Sequence, residues 1–345
     1  MNMPLAASRR LPRCARHHRQ RGAALLMAML IVALVTTLIA AMAWQQWRGI
    51  ETESAERARS RDAWLLLGVS DWSRLLLRAD ASTSKIDSLD EPWSVPLAEA
   101  QLSTFVASGH IGDDDDLPDA YLSGQIEDAQ ARLNVRDLAS TEMTPSADWL
   151  AVFARLYATL GLDPAELTRV QANLVLALNA QVTRGTDGQP VIPQAGTAPL
   201  LPQTFDQLIW LGFSPAHLDL LRDYITILPV RTTVNVNTAS APVLQAVLGQ
   251  IDQSDVQTLI ASRSKNPIIQ DEELLEMFPN LKQDDGVIAR ISPSTRFFLA
   301  RGNLRSDRRT ETDQTLIQRA VLDVRVLVRE QSAGEASLSP RVSSR

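Results

Sequence analysis

Residues 23–43 run for 21 positions without a single charged side chain. As an α-helix such a run is roughly 30 Å long, the thickness of a bilayer's hydrocarbon core. Whatever else the chain folds into must therefore hang from one apolar rod. Ahead of the rod, residues 1–22 carry Arg9, Arg10, Arg13, Arg16, Arg19 and Arg21 and no Asp or Glu. By the positive-inside rule that end stays in the cytoplasm and residues from about 44 onward lie across the membrane. Trp44 and Trp47 follow the run at once, where an interfacial aromatic belt sits.

Three readings of this N-terminus compete. It is a plain signal anchor, or a secretory signal peptide cut after Ala41-Met42-Ala43, a small-x-small site. The third reading is a prepilin-type leader cut between Gly22 and Ala23, on the cytoplasmic side of the apolar run. The basic head ending in Arg21-Gly22 directly before an uninterrupted apolar helix has the form of the third.

The charge balance narrows the partners. Taking six arginines from a chain of net charge −6 leaves −12 on the remainder. An acidic body repels phosphate backbones, so nucleic acid is not expected as a partner. Cys14 is the only cysteine and excludes an intrachain disulfide. With 345 residues, 45% of them apolar, there is material for two modest domains or one domain with a large insertion.

The helix is expected to continue past the membrane. From Trp44 to Arg78 there is no Pro, and Gly occurs only at 49 and 68. Glu51, Glu53 and Glu56 interleave with Arg57, Arg59 and Arg61 as a solvated stretch. Trp64, Leu65, Leu67, Trp72, Leu75 and Leu76 then return at helical spacing. Such a stem has a lower half for lipid or a fibre core and an upper half for a globular head. The face bearing Trp64, Leu67, Trp72 and Leu75 is assigned to packing on this protein's own sheet and on the stems of partners, at different heights.

Beyond the stem, residues 80–118 read as loops and short helices. Asp113-Asp114-Asp115-Asp116 reads as a solvated turn, since calcium loops alternate ligands with spacers around a sharp Gly turn. Residues 121–136 read as a hairpin about Glu127–Gln130. Residues 296–301 and 320–328 read as strands, 303–316 as a polar loop between them, and 331–345 as a frayed tail. Between these strand regions the pattern is helical. Leu160-Gly161-Leu162-Asp163-Pro164 and Leu211-Gly212-Phe213-Ser214-Pro215 repeat one junction, in which Gly ends a helix, Asp or Ser caps the next and Pro opens it. Leu248-Gly249-Gln250-Ile251-Asp252 is a looser third copy. Residues 181–203 interrupt the helices as a Gly- and Pro-rich loop.

No catalytic constellation emerges, and the chain reads as non-enzymatic. His110 and His217 lack metal-ligand spacing. Ser82-Thr83-Ser84-Lys85 matches a short Ser-x-x-Lys pattern that is common by chance. Val234–Leu244 with Gly249 has the outline of a helix–hairpin–helix unit. Its second Gly is missing and Asp252 stands nearby, so the hairpin reads as architecture and not as a grip on DNA.

Five stretches together carry a resemblance: the Arg21-Gly22-Ala23-Ala24 junction, the apolar stem, Asp128-Ala129-Gln130-Ala131-Arg132-Leu133-Asn134-Val135, Tyr224–Pro229, and Val234-Asn235-Val236-Asn237-Thr238-Ala239. Over residues 19–330 the chain resembles the minor pseudopilin K family of type II secretion (general secretion pathway protein K). The resemblance implies an α+β fold: a long N-terminal pilin-like helix on a small antiparallel sheet, with a large all-α, helix–hairpin–helix or SAM-like insertion. The divisions expected are a leader 1–22, a transmembrane and amphipathic stem 23–79, a pilin-like domain in two parts (80–144 and 289–330), the helical insertion 145–288 and a tail 331–345.

The family further implies processing by prepilin peptidase between Gly22 and Ala23, with N-methylation of Ala23. It implies a single-pass inner-membrane protein with its C-terminal domain in the periplasm. It also implies partnership with minor pseudopilins I and J and other pseudopilins, in a tip complex that caps a short fibre driving protein export. Pilin-like subunits usually carry Glu at the fifth mature position, where it pairs with a neighbour's N-terminal amine. Counted from Ala23 that position is Met27, which suits a subunit with nothing above it, because an unpaired carboxylate in an apolar setting is costly. Many relatives bind calcium in an acidic loop of the insertion. The matching stretch 178–188 here has Asp187 as its only acid and Arg184 beside it, so no calcium and no other cofactor is expected. The alternatives to the secretion reading are a helix–hairpin–helix DNA-binding envelope protein and a simple membrane-anchored periplasmic protein.

Overall fold

The structure is a computed structural model that describes residues 18–102, 104, 120–182, 198–284, 286–306 and 309–335. The expectations for the arginine head before His18, for His110, for Asp113–Asp116, and for Arg184 and Asp187 fall outside the described residues. The chain divides between Ala63 and Trp64 into two units.

In the first unit the helix α1 (His18–Asp80) rises through the apolar run. Every described side chain from Gly22 to Ile50 is exposed. The hydroxyls of Thr36 and Thr37 donate back to the carbonyls of Val32, Ala33 and Leu34. The run thus offers no unsatisfied hydroxyl to a lipid surround. Above it, Glu53–Arg57 and Glu56–Arg59 form exposed pairs at helical spacing, as a solvated stretch requires.

The second unit begins with the last turns of α1 and is built on a five-stranded antiparallel sheet. Its strands are β1 (Leu97–Gln101), β2 (Ala120–Asp128), β7 (Phe297–Ser306), β8 (Arg309–Ala320) and β9 (Asp323–Glu335), in that spatial order. Within this unit α1 lies on the sheet through Leu66, Val69 and Leu77. Leu66 packs with Leu122 and Leu304, and Leu77 with Trp93, Ile126, Phe298, Ile317 and Val324. Gly124 and Gly302 are opposite one another on β2 and β7, directly beneath Val69. A Cβ on Gly302 would lie 3.1 Å from Val69 Cγ1, so the small residues let helix and sheet approach.

β2 and β7 pair without interruption from Ala120–Ser306 to Asp128–Phe298. Everything between Asp128 and Phe297 therefore leaves the sheet and returns to it at neighbouring points. This excursion holds α2 (Ala147–Leu160), α3 (Ala165–Val182), α4 (Pro215–Leu221), α5 (Ala241–Leu248), α6 (Gln253–Arg263), α7 (Glu272–Met277) and α8 (Val287–Arg290). They surround one apolar core that reaches from Leu133 to Ile291. Two-residue parallel clips close it: β3 (Leu133–Asn134) with β4 (Ile225–Thr226), and β5 (Val234–Asn235) with β6 (Ile291–Ser292). The expected α+β fold, a long helix on an antiparallel sheet with a helical insertion, is the fold observed.

The repeated Gly–cap–Pro junctions form as expected. Gly161 and Gly212 end their helices at φ +69° and +101°. Asp163 accepts from the Ala165 N–H, and Ser214 from that of His217. At the third copy Gly249 has φ +65°, and Asp252 and Asp255 form a reciprocal capping box.

Three local expectations differ from the structure. Residues 121–136 are not a hairpin: β2 ends at Asp128, a 3-10 turn follows over Ala129–Ala131, and Leu133–Asn134 pairs with β4 instead. The cause is Asp128, whose carboxylate caps that turn and draws the chain away from the sheet. Residues 303–316 are not a loop. β7 and β8 pair from Phe297–Gln318 to Ser306–Arg309, because one face alternates as buried positions, Gly302 and Leu304 on β7 and Asp313, Thr315 and Ile317 on β8, with more exposed polar residues between most of them. The frayed tail does not begin at 331, since β9 continues to Glu335 against β8.

Candidate assembly surfaces and the polar hub

Gly22 and Ala23, the expected cleavage pair, lie within α1 and are exposed. Met27, one helical turn on, is 63% exposed amid Leu25, Leu26, Met29 and Leu30, which are equally bare. The upper stem has two unlike faces. Leu66, Ser70, Ser73, Leu77 and Asp80 are buried at intervals of three and four residues, the face that meets the sheet. Trp64 and Leu75 lie on the opposite face, Trp64 with 70% of its surface exposed, Leu67 sits between the two, half-buried, and Trp72 lies at the flank beside Trp93, Leu97 and Ile126. Of the four expected stem residues, Trp64 and Leu75 therefore do not pack on this protein's own sheet. The residues that do, Leu66 and Leu77, were not singled out by the sequence pattern, because an almost continuous Leu run hides which face is inward.

The two internal motifs quoted above meet at one buried carboxylate. Asp128 Oδ1 accepts from the Gln130 N–H at 2.7 Å and the Thr295 hydroxyl at 2.6 Å. Its Oδ2 accepts from Asn235 Nδ2 at 2.8 Å and the Thr238 hydroxyl at 2.6 Å. Burial pushes this carboxyl up, and all four donors oppose that shift. Asn235 also donates to the Asp87 carbonyl, and Asn237 forms a reciprocal pair with the Ile268 backbone. Asn134 accepts from the Leu228 N–H and donates to the Val230 carbonyl. The hub locks the insertion to the end of the sheet.

Arg319 makes a second lock, between strand and stem. Its guanidinium reaches Asp80 at 2.8 Å and also pairs with Asp87, while lying 4.7 Å over the Phe298 ring. Asp80, Asp87 and Glu91 are close enough together to attract a cation, and Arg319 already serves as theirs. Burial still pushes Asp87 up to about 6, against the pull of Arg319. Asp137 is pushed further, to about 8, by burial. Arg231 stands 3.5 Å away, and Asp137 Oδ2 has no hydrogen-bond partner.

The helix–hairpin–helix outline is real, but its turn is occupied from within. Arg155 donates to the Ala246 carbonyl at 2.7 Å, and its guanidinium carbon lies 2.9 Å from where a Cβ on Gly249 would stand. The close approach that such a turn offers a phosphate is taken by an arginine of the same chain. His217 is likewise structural: its Nδ1 pairs with Glu166, which also accepts from the Tyr157 hydroxyl and the Ser214 N–H. Ser82, the serine of the Ser-x-x-Lys stretch, donates to the Ala79 carbonyl.

Two family profiles match successive parts of the insertion. Both are described as Type II secretion system (T2SS), protein K, one over residues 131–230 and the other over 234–284. Type II secretion system protein K of Pseudomonas aeruginosa is 26% identical over 330 residues, covering 91% of this chain and 94% of the relative. The Klebsiella pneumoniae protein of the same name is 28% identical over 263 residues, 72% of this chain and 74% of the relative. Among solved structures, the complex of GspK, GspI and GspJ from the type 2 secretion system of enterotoxigenic Escherichia coli contains a similar fold. The TM-score is 0.54 at 16% identity, over 81% of this chain and 98% of that one. Residues 131–284 thus carry the type II secretion system protein K profiles, and the chain is similar to protein K over nine-tenths of its length.

Proposed function

We propose that this chain is the tip-capping minor pseudopilin of a type II secretion pseudopilus and takes part in protein export across the outer membrane. It is a structural part and not an enzyme. It is made as a single-pass inner-membrane protein with residues from about 44 onward in the periplasm. Prepilin peptidase cuts between Gly22 and Ala23 and methylates Ala23, and the mature chain joins minor pseudopilins I and J, the partners in the solved relative.

The observation that carries this reading is the two-faced stem. One face is spent on the chain's own sheet, and the other leaves Trp64 and Leu75 in water. Large apolar side chains aligned on one exposed face mark an association surface. The stem continues into the apolar run, so neighbouring stems can pack along the whole rod. Met27 supports the tip position, since a subunit with none above it gains nothing from a carboxylate there.

The intact mass and first residue of the protein from host membranes, with and without prepilin peptidase, test the reading. A methylated Ala23 start that depends on the peptidase is expected. A start at Trp44 would mean an exported soluble protein, and an intact arginine head a simple anchor. Met27→Glu separates the tip role from membership of the fibre: it is expected to leave processing unchanged and to lower secretion.

A further inference from the structure

The apolar run ends at Ala43, and the first charged side chain beyond it is Arg48. Five residues of helix carry the chain about 7 Å past the hydrocarbon edge, and the headgroup layer on each side of a bilayer is about 5–7 Å deep. Arg48 thus starts from the outer limit of the lipid phosphates. A side chain that only sought water would point onward, away from the lipid. Arg48 does the opposite: its guanidinium lies 5.0 Å over the ring of Trp44, one helical turn nearer the membrane.

The next two arginines are spent within the stem, Arg57 on Glu53 and Arg59 on Glu56. Arg48 has no carboxylate partner among the described residues, and none of its side-chain N–H groups meets an acceptor there. It is exposed, as are Trp44, Trp47 and Ile50 around it. A guanidinium stacked on an indole keeps its edge free, and that edge presents parallel N–H groups matched to two oxygens of one phosphate.

We propose that Arg48, braced on Trp44, binds the phosphate of a phospholipid in the periplasmic leaflet and so fixes the depth at which the stem stands in the membrane. Trp44 supplies the stack, and Trp47 adds a second ring suited to the interface. Height and charge select the ligand. Phosphate is the anion abundant at that level of a bilayer, and the chain's own first acid, Glu51, stands nearly a turn further out. This rests on the single-pass inner-membrane reading above, and adds to it a ligand and the residue that holds it.

The test uses the full-length chain in vesicles, with Cys14→Ser and Ile50→Cys so that one spin label sits beside the site. Collision with oxygen and with a nickel chelate gives the label's distance from the phosphate plane. The bilayers are phosphatidylethanolamine with phosphatidylglycerol, in a series of lengthening acyl chains. With Arg48 in place that distance is expected to stay constant as the bilayer thickens. Arg48→Gln and Trp44→Leu are each expected to let the label drift by about 3 Å, two residues of helix rise, with an unchanged melting temperature of the head. In bilayers of a digalactosyl lipid, which carries no phosphate, the chain that keeps Arg48 should drift as Arg48→Gln does. Equal drift with and without Arg48 in phospholipid overturns the proposal, and a constant distance in the phosphate-free bilayer overturns phosphate as the ligand. An unchanged distance in Arg48→Gln together with loss of pseudopilins I and J also overturns it, and gives the cation to a neighbouring stem. A label that stays in water, or at the bilayer centre, in every vesicle overturns the spanning reading itself.

Discussion

The lower stem and the Asp128 hub invert the ordinary rule of burial in opposite ways. From Gly22 to Ile50 every described side chain is exposed, though most are apolar. Around Asp128 the side chains of Gln130, Asn235, Asn237, Thr238 and Thr295 are polar and buried. The first region is incomplete alone: its apolar surface needs lipid or other stems, and its internal hydrogen bonds ask for nothing more. The second is complete alone, because each oxygen of Asp128 has two donors from this chain. Substitutions should therefore separate by readout, with the hub governing folding of the head and the outward stem governing assembly.

The sharpest way to break this contrast is Asp128→Ala. It leaves four donors from the turn, β5 and β7 regions without an acceptor at once, in a site water cannot reach. The loss expected is on the order of 4 kcal/mol of head stability, read by thermal or urea unfolding of the detergent-solubilised chain. A change below about 1 kcal/mol would mean that the hub is redundant with the apolar core of the insertion. Arg319→Leu comes next. It strands Asp80 and Asp87 beside Glu91 with no countercharge, and breaking a buried pair by removing one partner costs about 3 kcal/mol. Because that removes the cation held between these acids, part of the loss should be recovered at low pH, as the carboxyls protonate.

Acid-dependent behaviour sharpens the comparison further, since the head holds carboxyls that burial pushes up. Asp137 is raised to about 8 and Asp87 to about 6, from an ordinary 3.8. A carboxyl raised in the fold binds a proton that the unfolded chain has released. The contribution of these two groups is therefore fully present below about pH 4 and is lost as pH rises through the folded values. For Asp137 alone the slope approaches about 1.4 kcal/mol per pH unit, and above pH 6 it stands apart from that of Asp87. Asp137→Asn keeps an oxygen for the Thr232 N–H, which Asp137 Oδ1 now accepts. It should flatten the decline between about pH 6 and 8. An unchanged slope would show that Arg231 holds Asp137 ionised.

Much of this architecture was legible in the sequence, and the exceptions have a common cause. The apolar rod, its continuation to Asp80, the Gly–cap–Pro junctions at 161 and 212 and the strands at 297 and 323 are all local patterns, written in contiguous residues. The stem's inward face, the absence of a hairpin at 121–136 and the strands within 303–316 depend on partners far away in sequence. Asp128 caps its own turn but finds Asn235, Thr238 and Thr295 more than a hundred residues on. The Leu65–Leu67 and Leu75–Leu77 runs are equally apolar on every face until the sheet beneath selects Leu66 and Leu77. Arg155 over Gly249 is of the same kind, since nothing near Arg155 in sequence announces the turn that it fills.

The smallest effect on folding should come from the outward stem, and it is the most informative about assembly. Trp64 and Leu75 give little to the head, because they are largely exposed and make no part of its apolar clusters. Replacing Trp64 and Leu75 together by Ser should change head stability by no more than about 0.5 kcal/mol. The same double variant removes two large anchors from the surface proposed to meet neighbouring stems. Each fully covered anchor contributes about 2 kcal/mol to an interface, so co-purification with pseudopilins I and J should fall by well over tenfold. The melting temperature of the variant and its recovery in the complex, measured on one preparation, decide between two accounts. A normal melting temperature with lost partners means that the exposed face is used in assembly. A lowered melting temperature with partners retained would place those side chains in the protein's own fold, and the division between a self-sufficient head and an incomplete stem would fail at this point.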